Sequence, residues 1–200
     1  MLYVLMNRAS RAIVELIVIF ICLVACSGSD SKYEPSTITK GPFEETISQL
    51  DTPELIDDFM RTYIRYTSKG FQWDESRRHG FRWKSPKETY DDGYGFCYDL
   101  SAFALHCLLE HGYNDAKILF VCFGDWGNES NSGHLVSLFS ENGQDYLFND
   151  GRVMGPFSSF DEILDVASHG YPIKYYRFFK YEEIPFQTKY DDMDYFCRTP

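Results

Sequence analysis

Positive charge is scarce in this 200-residue chain: 19 Lys and Arg stand against 30 Asp and Glu, a formal net charge of −11. That balance repels a phosphate backbone and speaks against nucleic acid as a partner. With 14 Gly and 8 Pro, and no repeat, the chain is neither collagen-like nor low in complexity. Six cysteines in 200 residues are too few for a small disulfide scaffold. No Cys-x-x-Cys or His-x-x-x-His pair occurs, so nothing calls for a metal or other cofactor. The longest apolar run, Leu16–Ala25, is too short to span a bilayer. What remains is substantial: 44% apolar and 18% aromatic residues, enough to build a core and to exclude a disordered chain. The length suits one domain, or one domain and a tail.

The N-terminus reads as an address. Arg8 and Arg11 precede the apolar run, which ends Leu23-Val24-Ala25-Cys26 and gives way to Ser27-Gly28-Ser29-Asp30. A basic segment followed by an apolar run of this length is a secretory signal. The small residue before Cys26 and the polar segment after it resemble a bacterial lipobox, whose cysteine is lipidated and becomes the mature N-terminus. The resemblance implies residues 1–25 as signal peptide and Cys26 as the lipid-bearing residue, anchoring the protein to the membrane at the cell envelope. Ser27, where an inner-membrane retention signal would place Asp, implies an outer-membrane destination. Residues 26–42 lack apolar periodicity and read as a flexible tether, with one domain over 43–200.

Within that domain helices come first. Thr52-Pro53 caps a helix whose apolar face is Leu55, Ile56, Phe59, Met60, Tyr63 and Ile64. Gly70–Lys84 reads as an aromatic, basic loop. Ser85-Pro86-Lys87-Glu88 is a capping box. Tyr98–His111 is an amphipathic helix ended by Gly112. The period then changes. Ala116–Phe123 predicts a buried strand and His134–Phe139 a second. Asn142-Gly143 turns into Tyr146–Phe148. Ser159 caps a helix to about Ser168, and Ile173–Phe179 is a last strand. The acidic stretch Tyr190–Asp194 reads as a solvated tail rather than a calcium loop. The class is α+β, helices packed on a mainly antiparallel sheet.

Three residues converge on a chemistry. Cys97 follows the glycine-flanked turn Gly93-Tyr94-Gly95-Phe96 at the start of a helix, where backbone N–H groups and the positive helix end favour a thiolate. Its own N–H suits one half of an oxyanion hole. His134 opens a strand after a loop, placed to face the Cys97 sulfur. Asp150 ends the following hairpin strand, placed to orient His134. Asn149, its neighbour, is a second possible orienter.

These residues resemble a known family. Gly95-Phe96-Cys97-Tyr98-Asp99-Leu100-Ser101, then Gly133-His134, then Tyr146-Leu147-Phe148-Asn149-Asp150 are similar to the transglutaminase-like superfamily, with its papain-like core. The resemblance spans roughly Trp83 to Ile163. It implies Cys97 as nucleophile, His134 as general base and then acid, Asp150 as orienter, and a protein or peptide as substrate. The reaction implied is acyl transfer at an amide or peptide bond, with water preferred over an amine as acceptor. Two positions depart from the pattern: Phe96 stands where many relatives have a small or acidic residue, and Val136 where they have tryptophan. A non-catalytic binding module for a peptide or glycan is the other reading, with Gly70–Trp83 and Trp126-Gly127-Asn128 lining its groove.

The remaining polar residues read as structural. His106 and His111 cover or cap the helix, His79 and His169 sit in loops without a signal, and Cys107 and Cys122 occupy core positions. A Cys107–Cys122 disulfide is open, with Cys197 as a further thiol. Trp83 and Tyr90 are the residues considered for the second oxyanion donor.

Overall fold

A computed structural model describes residues 36–67, 81–124, 131–186 and 189–190. The signal segment 1–25, Cys26, the tether up to residue 35, residues 68–80, the Trp126-Gly127-Asn128 loop, Cys197 and the tail beyond Tyr190 lie outside the described residues. Residues 36–42 lie against the domain. Ile38 is buried, the Ser36 N–H donates to Thr62 Oγ1 (3.0 Å) and the Gly41 N–H to Thr46 Oγ1 (3.1 Å).

Local signals set the first elements. Helix α1 is Phe43–Ile47, and α2, Pro53–Tyr63, starts where Thr52 accepts the Leu55 N–H at 3.3 Å. Its Ile56, Phe59 and Met60 are buried. Strands β1, Arg65–Tyr66, and β2, Phe81–Arg82, follow. Helix α3, Pro86–Asp92, opens on the capping box: Ser85 Oγ accepts the Glu88 N–H at 3.2 Å, and Glu88 Oε2 accepts the Ser85 N–H at 2.8 Å. Gly93, at φ 68°, ends it in the left-handed region where a side chain is costly. Strand β3, Tyr94–Gly95, pairs in parallel with β1, and helix α4, Cys97–Glu110, begins two residues later.

Glu88 gives this segment a pH signature. Burial alone would raise its pKa, but the Ser85 N–H, the Arg82 guanidinium (2.8 Å) and the Ser85 hydroxyl together lower it to about 2. The folded state therefore releases that proton more readily than the unfolded chain. The resulting stability is present above about pH 4.5 and is lost as pH falls towards 2. In Glu88→Gln the acid limb of a urea-midpoint profile is expected to be shallower over that window; an unchanged limb would refute the assignment.

Beyond α4 comes an antiparallel sheet. Its strands are β4, Lys117–Gly124; β5, Asn131–Glu141; β6, Gln144–Asn149; β7, Arg152–Phe157; and β8, Ile173–Phe179. Their spatial order is β7-β6-β5-β4-β8, with every neighbouring pair antiparallel. Helix α5, Phe160–Ala167, lies between β7 and β8 in sequence, and the two-residue β9, Lys189–Tyr190, pairs with β2. Interior strand β4 shows the layering by its alternation. Ile118, Phe120 and Cys122 join the core shared with α2, α3 and α4, whereas Leu119, Val121 and Phe123 join that of α5's Ile163 and Ala167. The α+β architecture expected from the sequence is the one observed.

Strand β7 has no clear sequence pattern because Gly155-Pro156 interrupts it; proline is tolerated there because β7 is an edge strand. The Cys107–Cys122 bond is not formed: Cys107 is free, and Cys122 is disulfide-bonded elsewhere. Helix direction explains this. Ser101 of α4 bonds to Leu135, and Tyr113 beyond its end packs on Phe139, so the helix runs toward the Phe139 end of β5. Cys122 is paired with Gly133, at the opposite end. Among the described residues, no helix is long and apolar enough to cross a membrane.

Candidate active site

The approach to Cys97 is built by Asp99. This buried carboxylate accepts the Lys84 N–H on Oδ1 (2.9 Å) and the Phe96 N–H on Oδ2 (3.1 Å), tying the chain before α3 to the start of α4. Only glycine fits at position 95, because a Cβ there would lie 2.6 Å from Asp99 Cβ. The motif's glycine and aspartate are thus one steric unit.

Helix α4 is then stitched to β5. Strand β6 pairs with β5 over Ser137↔Phe148 to Glu141↔Gln144, so Leu135 lies beyond that ladder. Its carbonyl accepts the Ser101 hydroxyl (2.9 Å), while the Ser137 hydroxyl donates to the Ser101 carbonyl (2.6 Å). One helical turn back from Ser101, Cys97 comes within the field of the Leu135 backbone. That register brings the sulfur to the residue after His134.

His134 pairs across the ladder with Val121, on the α5 side of the sheet. Its Nε2 lies 2.7 Å from Asn149 Oδ1, and Asn149 Nδ2 is turned to the Met154 sulfur at 3.8 Å. An amide oxygen only accepts, so Nε2 carries the proton and the neutral ring has its bare nitrogen at Nδ1. Asp150 is not the hydrogen-bonded partner; its Oδ1 is 3.9 Å from Nε2. The reason is the turn. Asp150 and Gly151, at φ 51° and 81°, form the two-residue connection between Asn149 and Arg152, which carries Asp150 out of the strand while Asn149 stays in it. Among the described residues Asp150 Oδ1 is buried without a hydrogen-bond donor.

The electrostatics favour neutral forms. Burial raises the Cys97 pKa, Asp150 and Asp99 add to the rise, and the Leu135 and Tyr98 N–H groups oppose it; the thiol is pushed up to about 12. The helix start does lower it, as expected, but burial at 5% exposure outweighs that contribution. Burial also lowers the His134 pKa, against the pull of Asp150 and Asn149 and with a further push from His169. Asp150 is raised by burial, partly offset by His134 and His169. Among the described residues no hydrogen bond joins the Cys97 sulfur to the His134 ring; the structure brings His134, Asn149 and Asp150 into direct range and places Cys97 within the field of Asp150.

Two neighbours carry no sequence signal for the site. The His169 ring centroid lies 4.8 Å from that of His134, held by a left-handed residue (φ 55°) just past α5. Tyr66 lies in the field of both Cys97 and Asp150. Each reaches the site through tertiary contact alone. The residues considered as oxyanion donors are engaged elsewhere: Trp83 Nε1–H donates to the Tyr98 carbonyl (2.7 Å), and the Tyr90 hydroxyl to the Gly41 carbonyl (2.6 Å). His111 binds the Ile47 carbonyl at 2.8 Å, and His106 stacks between Phe43 and Tyr181. Among the described residues no cluster of three His, Cys, Asp or Glu side chains is arranged to hold a metal ion.

No family model matches the chain. No curated protein matches it either. Solved structures similar to it include Legionella pneumophila LapG, with a TM-score of 0.42 and 17% identity over 66% of this chain and 69% of that one. The EGTA-treated form of LapG gives 0.42 and 15% over 72% and 76%, and the calcium-bound form 0.38 and 14% over 78% and 76%. A likeness at this level does not assign the chain to a family.

Proposed function

We propose that this chain is a cysteine enzyme that cleaves amide or peptide bonds, with Cys97 as nucleophile, His134 as base and then acid, and Asn149 and Asp150 as the groups that orient and polarise His134. The observation that carries the reading is the hydrogen bond from His134 Nε2 to Asn149, which leaves Nδ1 as the proton acceptor, one residue from Leu135, in whose backbone field Cys97 lies. In the reaction, the thiol proton passes to His134 Nδ1 as sulfur bonds to the acyl carbon. The C–N bond then breaks, His134 returns the proton to the leaving amine, and a thioester remains. Water, deprotonated by the same nitrogen, releases the acid and regenerates the thiol. Cys97 and His134 lie on opposite faces of β5 and are not hydrogen-bonded at rest, so this proton transfer requires the two to approach when a substrate carbonyl enters.

Cys26 is proposed as the lipid-bearing residue, which places the enzyme on the bacterial outer membrane with protein or peptide substrates of the envelope. Incubating the full chain with a proteome-derived peptide library, read by mass spectrometry, tests the activity. New termini are expected with the wild type and none with Cys97→Ala; identical products from both would refute it. A binding module is the second reading. It is favoured by one observation, the thiol raised to about 12 where a nucleophile is wanted.

A further inference from the structure

We propose that the Tyr66 hydroxyl is the second oxyanion donor, acting with the backbone N–H of Cys97 on the oxygen of the carbonyl that Cys97 attacks. This deepens the acyl-transfer reading and rests on it. As sulfur adds to the acyl carbon, the carbonyl π pair moves onto oxygen, and two donors are needed where that charge develops. One is supplied by position. Cys97 is the first residue of α4, so no helical carbonyl lies behind it to accept its N–H.

The other comes from β1. Tyr66 pairs with Gly95 in the parallel ladder, and the next residue, Thr67, donates its N–H to the Gly95 carbonyl at 3.1 Å. Tyr66 is therefore fixed beside the residue two before the nucleophile. Its ring meets Phe96 edge-on (6.1 Å between centroids), and Phe96 stacks flat on Tyr98 (5.6 Å), so an aromatic wall holds the phenol at the helix start. At 41% exposure Tyr66 is open to an incoming substrate, unlike the fully buried Trp83. Among the described residues its hydroxyl has no hydrogen-bond partner, whereas Trp83 and Tyr90 have theirs. The same place explains its acidity. Burial, then the Cys97 sulfur and the Asp150 carboxylate, raise its pKa to about 12, so it remains a donor and is a poor base at working pH. The bulky Phe96, a departure from the resembled family, also finds a purpose here as the surface on which the phenol rests.

Two reactions of the same sulfur separate this role from a structural one. Acetylation of Cys97 by 4-nitrophenyl acetate passes through an oxyanion; alkylation by iodoacetamide does not. Both are followed in the full-length wild type and in Tyr66→Phe, with Cys97 modification read by peptide mass. Tyr66→Phe is expected to slow acetylation about 100-fold, in line with loss of one oxyanion donor, while alkylation stays within about twofold. Acetylation within about threefold of the wild type would overturn the proposal, as would equal slowing of both reactions, the sign of a merely structural role. If wild-type Cys97 is alkylated but never acetylated, the nucleophile reading itself fails and takes this proposal with it.

Discussion

At pH 8.5, iodoacetamide is expected to alkylate Cys97 roughly a thousandfold more slowly than an exposed cysteine. An exposed thiol is about half ionised at that pH, whereas a thiol with a pKa of about 12 is ionised in only about three molecules per ten thousand. The sign follows from the cause. Burial disfavours the thiolate, the carboxylates of Asp150 and Asp99 add to that, and two backbone N–H groups only partly compensate. The rate is therefore expected to rise about tenfold per pH unit from pH 7 to about pH 11, without a plateau. Because burial also lowers His134, the ring is neutral at pH 7 and no resting thiolate–imidazolium pair is present to be disrupted. His134→Ala should accordingly leave the alkylation profile nearly unchanged while abolishing peptide cleavage. Rapid labelling that levels off near pH 6, and that disappears in His134→Ala, would show instead that the pair is ionised at rest.

The second large effect concerns folding. Asp99→Ala is expected to cost about 3 kcal/mol or more, because two charge-assisted hydrogen bonds vanish and the Lys84 and Phe96 N–H groups lose their acceptor in a buried setting. For a domain of this size that corresponds to a fall of roughly 6–12 °C in Tm. Asp99→Asn, which keeps one acceptor oxygen, should lose less. Urea denaturation of the three proteins measures the difference, and a loss below about 1 kcal/mol in Asp99→Ala would refute the role given to this carboxylate.

How much of this is legible in the sequence varies from residue to residue. Thr52 and the Ser85–Glu88 box work as read, because a cap is made by residues three apart. Asn142-Gly143 makes its turn for a similar reason, both residues taking the positive φ that the hairpin requires. Helix α1 leaves no legible pattern because five residues give too short a window for a period. At the site, the motif places Cys97 at a helix start, and the sequence order puts His134 and Asn149–Asp150 on neighbouring strands. It ranks Asp150 ahead of Asn149 as the orienter, whereas the hydrogen bond to His134 is made by Asn149. A one-residue step along a strand reverses the side chain, and the two-residue turn that decides the step is defined by its pairing with Arg152.

Composition, capping and periodicity by themselves determined the α+β class and most element positions; the order and spacing of the motifs, with the family resemblance they carry, singled out a cysteine, a histidine and an amide–carboxylate pair. These are local properties, governed by contacts within a few residues along the chain. Tertiary structure alone decided the upward push on the thiol's pKa, the Leu135 backbone near Cys97, His169 beside His134 and Tyr66 beside Gly95. Each depends on segments roughly 30 or more residues apart meeting at one end of the sheet. That meeting is fixed by ladder register and by the depth to which α4 is buried, two quantities that arise only when the whole core has packed.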